Sequence, residues 1–177
     1  MNNKEMARHY KEKRQVLLKE VEENNPDFIP GRKFVFYSLA TVVILMLINL
    51  VLGISFHIKY DFPLTPNGLV VLVWPPLLSL IFARLIYSLG SKLFIYFLLL
   101  GGITGLYIAY INDVFLFLNT ENILLNVISI FTILAGLIQI VSMVFILLNI
   151  KCKTYFRLKL DLNKKISDEL KSANGTI

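Results

Sequence analysis

The chain has 177 residues, 56% of them apolar and 17% charged, with a mean hydropathy of +0.66 and a net charge of +6. These values fall outside the range of soluble domains and inside that of multi-pass membrane proteins. The single cysteine, Cys152, excludes an intrachain disulfide, and the bases flank apolar segments and do not line one polar face, which argues against nucleic acid as a partner.

Residues 1–33 form a charged N-terminal segment with eight bases and six acids. Over residues 3–24, Met6, Tyr10, Leu17 and Val21 recur at spacings of four and seven among Lys, Glu and Arg, which predicts a helix ended by Asn24-Asn25-Pro26. Its modest apolar face suits the inner leaflet or a partner protein, or else the helix is solvated and supplies only positive charge. Phe28-Ile29-Pro30-Gly31 predicts a turn into the first crossing.

Residues 34–150 contain four uncharged stretches, each reaching the roughly 20 residues that a helix needs to span hydrocarbon. They predict crossings near 34–58, 67–88, 92–111 and 123–150, joined by short loops into an antiparallel bundle. The first stretch exceeds the roughly 7–15 residues of a secretory h-region and lacks a small-x-small cleavage pattern, so it reads as an uncleaved signal anchor.

Several residues within the crossings stand out. Asn49 on the first and Gln139 on the fourth are deep neutral polar residues. Counted from the inner ends they lie at depths of roughly 22 Å and 16 Å, which predicts an interhelical amide hydrogen bond worth about 0.6–2 kcal/mol. Trp74-Pro75-Pro76 predicts a kink or a late start in the second crossing, with Trp74, Tyr107 and Tyr110 in an outer aromatic belt. Arg84 lies close enough to the inner end to snorkel to the headgroups.

On the third crossing Gly101, Gly105 and Ala109 fall at i, i+4 and i+8, a strip without bulky side chains that lets two backbones approach. It is available for packing inside the bundle, against Ala135 and Gly136, or for another subunit. The apolar loop Val114–Leu118 is expected to lie in the interface.

Residues 151–177 are a basic tail in which Leu158, Leu162, Ile166 and Leu170 recur every four, predicting a helix that extends the fourth crossing. Cys152, just past that crossing, reads as a plain thiol in preference to a palmitoylation site. The sequon Asn174-Gly175-Thr176 is taken as chance.

Of the 18 Lys and Arg residues, all but Lys59 fall on one side of this arrangement, so both termini are expected in the cytoplasm and the protein in the cytoplasmic membrane. Arg32, Lys33, Arg84, Lys92, Lys151 and Lys153 are the candidate contacts with anionic lipid of the inner leaflet. No catalytic constellation is visible: Ser79, Ser129, Thr132 and Ser142 have no acid or histidine at matching depth to activate them, so an enzyme, a metal site and a cofactor are not expected.

No motif ties the chain to a named family. Its size and layout are those of small bacterial membrane proteins that act as accessory subunits or as immunity proteins against membrane-acting toxins, an analogy that does not transfer function. The expected role is non-catalytic interaction with a membrane-protein partner or a second copy. The alternative is a small channel or exporter component formed by oligomerisation.

Overall fold

A computed structural model describes residues 3–61, 65–111 and 123–174. They form six helices: α1 (Asn3–Asn24), α2 (Phe28–Lys59), α3 (Pro66–Leu89), α4 (Leu93–Ile111), α5 (Ile123–Leu148) and α6 (Ile150–Asn174). The loop Val114–Leu118 and the end of the sequon lie outside the described residues.

Three helical segments are long and apolar enough to cross a membrane, Phe28–Lys59, Leu72–Leu89 and Asn126–Leu148, and Leu93–Tyr107 is a shorter apolar helix. Only 17%, 17% and 28% of the three long spans is buried within the chain. Residues such as Val51, Leu100, Val141 and Phe145 turn outward. Water would not tolerate so much contiguous apolar surface, whereas lipid solvates it.

The apolar helices pack α2 against α3 and α5, and α4 against α5. The buried core gathers at one end, where Phe28, Val35 and Leu39 of α2 meet Ile86 of α3, Ile95 and Leu98 of α4, Met143 and Ile146 of α5, and Tyr155 and Phe156 of α6. Both charged helices sit there. Tyr155 Oη donates to the Tyr87 carbonyl at 3.0 Å and Asn163 Nδ2 to the Leu89 carbonyl at 3.1 Å, which clips α6 to the end of α3.

α1 spans the residues its periodicity predicts, and Asn25 Nδ2 closes it by donating to the Val21 carbonyl at 3.0 Å. The turn that follows is Asn25-Pro26-Asp27, so α2 begins at Phe28 and the turn expected at Phe28–Gly31 is instead helix. Pro30 is tolerated because a first-turn residue has no intrahelical donor to lose. Gly31 is there for space. A Cβ on it would stand 2.2 Å from the Lys151 carbonyl oxygen and 3.1 Å from Tyr155 Cβ, so only glycine lets α6 lie this close to α2.

α3 runs as helix from Pro66 through Pro75 and Pro76 to Leu89, without the expected late start. The prolines remove the donors that would reach the carbonyls of Val71 and Leu72, while Ser79 Oγ donates to the Pro76 carbonyl at 2.8 Å. Gly90, at φ +70°, closes α3 with its N–H on the Ile86 carbonyl at 2.9 Å, and the short turn into α4 follows.

α6 is not a plain continuation of α5. Asn149 breaks the helix and caps the next one, its Oδ1 accepting from Lys151 N at 2.9 Å and Cys152 N at 3.4 Å. The restart lets the buried stripe Cys152, Tyr155, Phe156, Lys159, Leu162 and Ile166 turn onto the bundle.

Gly31→Ala is expected to lower the melting temperature in detergent, at an overpacking cost of about 1–3 kcal/mol. Gly105→Ala, made where a new Cβ meets nothing within 4 Å, should hold or raise it. Equal melting of the two variants would contradict the close α2–α6 approach. Asn149→Ala should cost about 1 kcal/mol through loss of the cap, read in the same assay.

Candidate functional site

The small-residue strip of α4 faces out of the bundle. The buried side of α4 is set by Ile95, Leu98 and Gly102, from the last of which Gly101 is turned by roughly 100° and Gly105 by roughly 60°. α4 and α5 do meet at Gly136, yet they do so through Gly102 and Leu106: a Cβ on Gly136 would come 2.8 Å from Leu106 Cδ2, and one on Gly102 would come 3.0 Å from Ile140 Cγ1. Gly101 and Gly105 are exposed, as is Thr104 between them. The side chain of Ala109 lies outside the described set.

Beneath the exposed strip lies Gln139, only 3% exposed. Its Nε2 donates to the Leu98 carbonyl at 2.6 Å, and a Cβ on Gly101 would sit 3.7 Å from that nitrogen. Its Oε1 has no hydrogen-bond partner among the described residues. An unsatisfied amide oxygen in an apolar environment costs on the order of 1–3 kcal/mol, and this one is enclosed within the chain.

Asn49 does not meet Gln139. Its Oδ1 lies 3.0 Å from Thr132 Oγ1, whose single proton is shared with the Ile128 carbonyl at 2.8 Å. Thr132 is seven residues from Gln139, about 10 Å along α5. The reason is the early start of α2: its first six residues, Phe28 to Lys33, precede the apolar stretch from which depth was counted, and they slide Asn49 along α5. Asn49, Gly53, Leu72, Pro75, Pro76 and Thr132 bound a cavity of about 220 Å³ between α2, α3 and α5.

At the charged end, Lys33, Arg84, Lys92, Lys151 and Lys153 are exposed. Arg32 is half-buried, paired with Glu22 of α1 and placed 6.0 Å from the centre of the Phe28 ring. Lys151 stands 4.0 Å from Asp27. Leu17, Leu18 and Val21 of α1 are spent within the chain: Leu18 and Val21 pack on the core, and Leu17 and Val21 face Leu158 and Leu162 of α6.

Sequence reasoning missed Gly31, Asn149 and Lys159. Asn149 carried a usable signal, an amide residue between an apolar run and a charged one. Lys159 carried none, since a lysine in a basic tail reads as solvated.

Cys152 is fully buried in the core, which raises its thiol from 9.0 to about 11 through desolvation. The folded thiol therefore keeps its proton where the unfolded one gives it up. Its contribution to stability is intact below pH 9 and lost as the pH rises to about 11. A maleimide should label Cys152 only after denaturation, and labelling of native membranes at the rate of a free thiol would contradict its burial.

No group of three or more His, Cys, Asp or Glu with metal-binding geometry occurs among the described residues. Comparison with protein-family models, with curated proteins and with solved structures found no match.

Proposed function

We propose that this is a non-catalytic protein of the cytoplasmic membrane, crossing it four times with both termini inside, and acting as an interaction or accessory subunit for a membrane-protein partner. Support for the orientation comes from charge: Lys59 alone among the 18 bases lies away from the end where α1 and α6 pack. α4, with 19 residues, has a length of about 28 Å, which matches a hydrocarbon core of about 30 Å.

One observation carries the interaction reading: Gly101, Thr104 and Gly105 form an exposed small-residue surface on α4, and a Cβ at Gly105 would meet nothing within 4 Å. Helices associate in lipid by close packing at small residues and by interhelical hydrogen bonds, and this face offers the glycines for the first and the Thr104 hydroxyl for the second. Immunity-type protection falls within the same class, with the toxin's helix as the one received.

The test is a mild-detergent pull-down with crosslinking from native membranes, comparing the parent with Gly101→Leu and Gly105→Leu. Because the surface is open at Gly105, Gly105→Leu should melt like the parent, and in both variants a stoichiometric partner should be lost. If both variants keep every partner, the reading fails. A homo-oligomer whose ion flux changes with Asn49→Leu would instead favour a channel, a reading that rests on the cavity beside Asn49 and Thr132.

A further inference from the structure

The charged end holds a hollow that the partner-binding strip does not involve. Lys11, Arg14, Gln15 and Leu18 of α1, Arg32 of α2, Tyr87 of α3 and Lys159 of α6 line a cavity of about 310 Å³. Four of these seven side chains are cations, and each is delivered by a helix placed through contacts already described. α1 docks on α6, α2 starts at the Gly31 contact, and α3 is clipped to α6 at Tyr87.

Lys159 is the unusual member. It is 7% exposed and lies in the middle of the buried stripe of α6, between Phe156 and Leu162. Its stem is held against Gly90, where an added Cβ would come 2.8 Å from Lys159 Cγ. Gly90 also has φ +70°, so space and backbone both require glycine there. Among the described residues Lys159 makes no ion pair or hydrogen bond, and neither do Lys11 and Arg14. The nearby carboxylate of Glu22 is taken by Arg32, which leaves a surplus of three positive charges around the hollow.

The Lys159 stem is buried while its ammonium opens on the hollow without a counter-charge, and such partial desolvation is costly. Desolvation lowers the Lys159 pKa, and Arg14 and Arg32 lower it further. A chain that spends a core position on such a group, and shapes a turn glycine around its stem, has a use for the charge.

We propose that this hollow binds a phosphate group, with Lys159 presenting its ammonium from a buried stem and Arg14, Arg32 and Lys11 closing around the oxygens. Arginine suits phosphate because its planar fork donates two parallel hydrogen bonds, and a lysine adds a compact charge. At roughly 30 Å³ per water, the volume admits a phosphate with some of its hydration. Tyr87 lies two residues before the end of α3 and Arg32 four after the start of α2, so the hollow sits where apolar helices give way to charged ones. A lipid headgroup and a soluble phosphate compound both reach that level.

Thermal unfolding of the purified full-length protein in detergent separates the sources. A rise in melting temperature with phosphatidic acid in mixed micelles, but with neither phosphatidylcholine nor inorganic phosphate, assigns a lipid headgroup. A rise with inorganic phosphate assigns a soluble phosphate. No rise with either phosphatidic acid or inorganic phosphate overturns the proposal.

Lys159→Met keeps a stem against Gly90 and removes the charge. It should melt no lower than the parent without phosphate, and should bind the effective probe at least roughly tenfold more weakly. Arg14→Gln, on a different helix, should also weaken binding, so the test survives if Lys159→Met fails to fold. Lys164→Gln, at an exposed position of α6 away from the hollow, should respond as the parent does. Parent-like binding by Lys159→Met, or by Arg14→Gln where Lys159→Met does not fold, would overturn the site.

Discussion

The approach of α6 to α2 at Gly31 sets the arrangement of the charged end. The Lys151 carbonyl occupies the space in which a side chain would stand, and this contact brings Tyr155 onto Phe28, with ring centres 5.4 Å apart. From there the α6 stripe reaches the end of α3 through Tyr155 and Asn163, and α1 covers what remains. A chain whose central helices expose most of their surface thus has one end that is packed like a soluble core, with Phe28, Cys152 and Tyr155 fully enclosed.

Away from that end, polar pairing specifies the packing. Lipid offers helices no hydrophobic reason to associate, so close backbone contact and hydrogen bonds decide which faces meet. Gly102 and Gly136 bring α4 and α5 together, Gln139 reaches the Leu98 carbonyl, and Thr132 joins α5 to Asn49. Gly53 serves α2 and α3 in the same way, since a Cβ there would stand 2.6 Å from Leu72 Cδ2.

Much of the secondary structure was legible in the sequence, because length, hydropathy and helix-ending residues are local signals. The extent of α1 and the apolar helices are of that kind. What failed were inferences that depend on a neighbour. Phe28–Gly31 reads as a turn until α6 is present to explain the glycine, and the level of Asn49 follows from where α2 starts to pack. The strip at Gly101 and Gly105 was visible as a pattern, yet which way it faces is set by Ile95 and Leu98 meeting α5. Lys159 gave no signal, because burial of one lysine among seven bases in the C-terminal tail is a property of docking and not of composition.

The account depends most on four crossings with both termini on one side, and single-cysteine labelling of intact cells tests it directly. In a Cys152→Ala background, Lys59→Cys should react with a membrane-impermeant maleimide from outside. Lys92→Cys and Lys164→Cys should react only after the membrane is opened. Labelling of Lys164→Cys from outside, with Lys92→Cys protected, would mean that α4 and α5 do not both cross, and would contradict the proposed topology.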